Sequence, residues 1–126
     1  MKVTLVRTEG PGREAILNIK GQDYCVRDGF SWTAERPPRE IDVSLSTELD
    51  DSWSWEDMFA ANSAQKIGLE PLEGYSYLAF GRIISIDPTR IDCGLLVEER
   101  AIYTHDIKVI GSFVGFKIKV LDAEGF

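Results

Sequence analysis

The sequence predicts a mostly β fold, a small antiparallel β-barrel or curved sandwich with one short helix around residues 54–66. Three observations carry that expectation. Apolar residues recur with period two through most of the chain, the period turns helical once in mid-sequence, and glycines and prolines cut the remainder into short pieces. With 126 residues, 44% of them hydrophobic and 28% charged, the chain is large enough to bury a core and balanced like an ordinary globular protein. No repeat, low-complexity tract or linker divides it, so residues 1–126 read as a single domain.

The elements follow in order. Val3 and Leu5 alternate with Lys2 and Thr4, the mark of a half-buried strand, which ends at Glu9-Gly10-Pro11-Gly12. Ala15, Leu17 and Ile19 alternate with Ile16, Asn18 and Lys20, and Gly21-Gln22 separates this run from Tyr24-Cys25-Val26 as a hairpin. Asp28-Gly29 then predicts a type I′ turn into Phe30-Ser31-Trp32, because both central residues of such a turn need positive φ. Pro37-Pro38 breaks the chain, and Ile41, Val43 and Leu45 form another one-sided strand.

From Ser54 the period changes. Trp55, Met58 and Phe59 fall at i, i+3 and i+4, Ser54 is placed to cap, Asp57 holds the capping-box position, and Gly68 is a stop. Beyond Pro71 the chain is again strand-like. Leu78, Phe80, Ile84 and Ile86 share a face, with Gly81 as a bulge. Asp87-Pro88 leads into a strand over residues 90–97, and Val114, Phe116, Ile118 and Val120 line one side of a last strand over 113–121. Strands, a helix, then strands is compatible with a five-stranded OB-like barrel.

Several chemistries lack their residues. No apolar run approaches the roughly 20 residues of a membrane span, so no membrane partner is expected. The first nine residues lack the apolar region of a secretory signal, and a cytoplasmic chain is expected. Cys25 and Cys93 form no C-x-x-C pair and read as buried free thiols. His105 is the one histidine and sits in a polar, loop-like stretch, although Cys93 with His105 stays open as a pair that could meet in space. Phosphate-binding glycine motifs and alternating calcium ligands are absent. Asp50-Asp51, Glu56-Asp57 and Glu98-Glu99 are adjacent acids rather than a catalytic carboxylate pair across a cleft. No catalytic residue, cofactor or metal is therefore assigned, and the balance leans away from an enzyme.

The net charge of −7 has an address. Glu40, Asp42, Glu48, Asp50, Asp51, Glu56 and Asp57 occur with no Lys or Arg among them, and outside that run the 14 basic residues match the remaining acids. Within it Trp53 and Trp55 interleave with the acids, Trp53 being expected exposed and Trp55 packed inward through the helix. Asp50, Asp51, Trp53, Trp55, Glu56 and Asp57 are thus the candidate partner-binding residues, since charge speeds encounter while a desolvated tryptophan supplies affinity. The leading expectation is a non-enzymatic module engaging a basic protein, as an immunity- or inhibitor-type protein would. An OB-like binder of single-stranded nucleic acid or oligosaccharide comes second, through Tyr75, Tyr77, Arg82, Phe113, Phe116, Lys117 and Lys119. The charge opposes a polyanion, and Phe116 alternates away from Lys117 and Lys119. A structural subunit that self-associates through a sheet edge is third.

Overall fold

A computed structural model describes residues 1–31 and 39–125. They form nine strands and one short helix: β1 (Lys2–Thr8), β2 (Glu14–Ile19), β3 (Gln22–Gly29), β4 (Arg39–Leu49), α1 (Trp55–Ala60), β5 (Gly68–Pro71), β6 (Tyr77–Ser85), β7 (Arg90–Asp92), β8 (Val97–Glu98) and β9 (Phe113–Gly125). A 3-10 turn, Ile107–Val109, precedes β9. The strands make one sheet in the order β3-β2-β1-β4-β9-β6-β7-β8, with β5 on β6. β3 also pairs with β9, so β1, β2, β3, β9 and β4 form a ring of hydrogen bonds, in which the β1–β2, β2–β3 and β1–β4 steps are antiparallel and the β3–β9 step is parallel. The mostly β, antiparallel expectation with one helix therefore holds.

By contact density the chain divides into two compact units. One comprises residues 1–48, 71–76 and 119–126; the other comprises 49–70 and 77–118. In the first, alternation produces the core as expected: Val3 and Leu5, Ala15 and Leu17, Ile41 and Val43 are buried, and Val26, Leu121 and Ala123 join them. At about 1.5–3 kcal/mol for each fully buried Val, Leu or Ile, this outweighs any single surface interaction described below. In the second unit Tyr77, Ile83, Ile91, Val114, Phe116 and Ile118 are buried, with Met58 of α1.

Six local expectations are corrected. The two-residue turn with positive φ is Lys20-Gly21 (52° and 87°), which joins Ile19 to Gln22 as a type I′ connection requires. Asp28 and Gly29 instead lie inside β3, opposite Ala123 and Glu124. The Asp28 carboxylate is buried and accepts hydrogen bonds from the Phe30 N–H (2.9 Å), the Ser31 N–H (2.8 Å), the Ser31 hydroxyl (2.6 Å) and the Thr8 hydroxyl. A local Asx-type fold of the chain thus replaced the hairpin. Trp32 and the Pro37-Pro38 break lie outside the described residues.

α1 is far shorter than 54–66. The Asn62 side chain accepts from the Lys66 N–H (2.7 Å) and donates to the carbonyls of Lys66 (2.9 Å) and Val114 (3.1 Å), so it offers the backbone a turn in place of further helix. In β6 the buried side chains are Tyr77, Ala79, Phe80 and Ile83, while Ile84 is exposed, because alternation turns the odd-numbered residues inward up to Ile83; the register against β7 shifts only beyond that point. Gly81 is a close approach, not a bulge: a Cβ there would meet the Asp92 carbonyl oxygen at 2.6 Å and the Cys93 sulfur at 2.9 Å.

The single strand expected over 90–97 is two, β7 and β8, turning through residues 93–96. β9 is longer than expected and changes phase. Val114, Phe116 and Ile118 are buried along its first part, then Leu121 and Ala123 along the remainder, with Lys119 and Val120 between.

Candidate partner-binding site

The chain leaves β4 at Leu49 and is folded back at once. The Asp50 N–H donates to the Lys117 carbonyl (3.1 Å), and one Asp50 carboxylate oxygen accepts from both the N–H (2.9 Å) and the hydroxyl (2.6 Å) of Ser52. Two residues on, Ser54 is extended and caps α1. Its hydroxyl accepts from the Asp57 N–H (3.1 Å) while Asp57 accepts from the Ser54 N–H (3.2 Å), the reciprocal capping box expected from these residues. Trp53 is thus held between two side-chain-to-backbone turns.

The tryptophans exchange the roles expected of them. Trp55 is 40% exposed and stacks on Phe59, ring centroids 5.9 Å apart, whereas Trp53 is half-buried. A six-residue helix buries only a narrow stripe, here Met58 alone, and that leaves its first residue outside. Trp53 borders two hollows. The larger, about 490 Å³, is lined by Ser52, Trp53, Asp57, Ala60 and Ala61. The smaller, about 110 Å³, is lined by Trp53 with Leu49, Met58 and Phe116 and by the charged residues Asp50, Asp51, Arg100 and Lys117.

Most of the acidic run is engaged within the fold. Glu40 lies 3.5 Å from the Lys2 ammonium, Asp42 lies 3.1 Å from the Met1 ammonium, and Glu48 lies 2.9 Å from Arg27. Asp50 makes its turn and lies 4.0 Å from Lys117, and Asp57 makes the cap. Asp51 and Glu56, both exposed, are the members of the run whose carboxylates make no hydrogen bond or ion pair among the described residues. Glu56 and Asp57 also lie in the first turn of α1, where negative charge is favoured.

The other candidates separate. His105 Nδ1 lies 2.6 Å from an Asp87 carboxylate oxygen with both side chains exposed, so the histidine is on the surface as expected. Cys93 is buried, and burial, reinforced by Glu98 and Asp92, pushes its thiol up to about 12, which removes the thiolate a nucleophile needs. Cys25 is also a free thiol but only half-buried. Glu98 is buried whereas Glu99 is exposed and pairs with Arg90 at 2.9 Å, so these neighbours do not face one cleft. Tyr77 and Phe116 are buried, so the aromatic-and-lysine set presents no shared stacking surface.

No group of three or more His, Cys, Asp or Glu side chains that could hold a metal ion occurs among the described residues, and no helix among them is long and apolar enough to cross a membrane.

The Asp28 knot escaped the sequence reading because Asp-Gly also spells a turn; the serine three residues later was the available signal. Searches of protein-family models, curated proteins and solved structures found no match to the chain.

Proposed function

We propose that the chain is a non-enzymatic protein-binding module that engages a basic partner through Trp53, Trp55 and the carboxylates around them, in the manner of an immunity- or inhibitor-type protein. The observation that carries this reading is the division of the acids. Asp50 and Asp57 brace the backbone, and Asp51 and Glu56 remain exposed and uncommitted beside an exposed and a half-buried tryptophan. Uncommitted surface charge steers a cationic partner, and the indoles supply the contact that is worth energy once desolvated.

The test is binding of cationic proteins across an ionic-strength series by the wild type and by the double reversal Asp51→Lys, Glu56→Lys. The reading expects association that weakens with salt and falls at least about tenfold in the reversal, the scale of one lost kcal/mol-sized charge contact or two. Retention of no cationic protein at low salt, or indifference to the reversal, removes it.

The ring order β1-β2-β3-β9-β4 supports the OB-like connectivity considered from sequence, and with it the second reading. Such a fold reads nucleic acid across its second and third strands. The outward residues there are Glu14, Ile16, Asn18, Gln22, Asp23, Cys25 and Arg27, with no aromatic to stack a base and with Arg27 held by Asp122 and Glu48. The protein-binding reading is accordingly preferred.

A further inference from the structure

The larger hollow beside Trp53 has a specific chemical demand, and it deepens the binding reading above, on which it rests. Among the described residues it is lined by Ser52, Trp53, Asp57, Ala60 and Ala61, a set that brings an indole with its one N–H donor, two alanines, a serine hydroxyl and a carboxylate. The single hydroxyl proton of Ser52 is committed to Asp50 at 2.6 Å, so towards the hollow that oxygen has only lone pairs left. Asp57 gives one carboxylate oxygen to the Ser54 N–H and keeps the other for a ligand. Ser52 and Asp57 therefore present acceptors, and no cation lines the space among the described residues.

The Ser52 and Asp57 oxygens favour an occupant that brings donors and positive charge, and the indole favours one with a flat face. A carboxylate or phosphate would meet the Asp57 charge.

We propose that this hollow receives one arginine side chain of the basic partner, the guanidinium lying on Trp53 with its N–H groups directed to Asp57 and Ser52. Guanidinium has five N–H donors and no acceptor, and it stacks on aromatic faces, whereas the lysine ammonium is compact and more strongly hydrated. The volume of about 490 Å³ lies within the roughly 300–1,000 Å³ of small-ligand sites, which leaves space for residues flanking the arginine.

The experiment follows the tryptophan indole N–H signals of the intact chain by NMR during titration with N-acetyl-arginine amide, and separately with N-acetyl-lysine amide. Variants Trp53→Phe and Trp55→Phe assign the signals. The expected result is a saturable shift of the Trp53 signal by the arginine compound, with the lysine compound at least about threefold weaker, the size of a modest stacking preference. Ala60→Gln, at an exposed helix position, fills the hollow without touching the core and abolishes the response.

Equal responses to both compounds, a shift confined to Trp55, or persistence in Ala60→Gln overturns the arginine pocket. If cationic proteins bind with salt dependence while Trp53 stays silent, the pocket fails and the charged surface stands. If nothing cationic binds at all, both fail.

Discussion

The two halves of the acidic run behave differently, although in sequence they form one uninterrupted stretch. On β4, Glu40, Asp42 and Glu48 are met by Lys2, the Met1 ammonium and Arg27. After Leu49, Asp50 and Asp57 are absorbed by turns of their own backbone, and Asp51 and Glu56 make no hydrogen bond or ion pair among the described residues. Strand pairing explains the contacts of Glu40 and Asp42, because the ladder lays the start of β1, with Met1 and Lys2, along β4. A loop has no partner strand, and its acids find either the local backbone or solvent. The charge a sequence displays and the charge a surface offers are therefore different quantities, and topology converts one into the other.

Substitutions of decreasing effect would sharpen that contrast. Asp28→Ala removes an acid fully enclosed by donors and should cost about 3–5 kcal/mol in urea unfolding, since four donors lose their acceptor. The same site sets a pH dependence. Burial alone would raise the Asp28 carboxyl, but the bonds from Ser31, Thr8 and the Phe30 and Ser31 N–H groups outweigh it and hold it below the usual carboxylate range. A depressed carboxyl contributes stability that is fully present above the unfolded value of about 3.9 and is lost as pH falls through the lower folded value. Urea-unfolding midpoints of wild type and Asp28→Asn, measured across a pH series, should therefore converge at low pH and stand fully apart above about pH 5.

Arg27→Ala comes next, at about 1–2 kcal/mol, discounted for its partly exposed setting. It strips the partner from Glu48 and from Asp122, which Arg27 grips at 2.6 and 3.0 Å. Ser54→Ala should cost about 1 kcal/mol through the lost cap, seen in the thermal midpoint. Asp51→Lys should change stability by less than about 0.5 kcal/mol, because that carboxylate makes no hydrogen bond or ion pair among the described residues. If Asp51→Lys proved as costly as Arg27→Ala, the division of the run into engaged and free acids would collapse.

Much of this was legible in sequence for physical reasons. Period-two burial in β1, β2 and β4 follows from apolar residues that must face a core, and the capping box of Ser54 and Asp57 is a local arrangement its own residues specify. The errors came where a distant partner decided. Asp28-Gly29 is a strand because β9 pairs with it, α1 stops because Asn62 also bonds to Val114, and β6, paired along Tyr77 to Arg82 with β9, turns its odd-numbered residues inward. At the candidate site, the sequence marks the acids and tryptophans as one run. Which acids are free and which indole is exposed depended on Ser52, Lys117 and the brevity of the helix, none of which carries a pattern in the chain.

β9 adds an order of events. Its residues 113–118 pair with β6, and residues 122–124 pair with β3, whose own earlier neighbour is the hairpin strand β2. A growing chain that holds residues 1–112 can make its hairpins but lacks the strand that both compact units require. Their sheet edges stay open until that segment arrives. Folding during synthesis must therefore be completed late and over long sequence separations, a topology that is slow to form and relies on whatever shields unpaired edges while the chain waits.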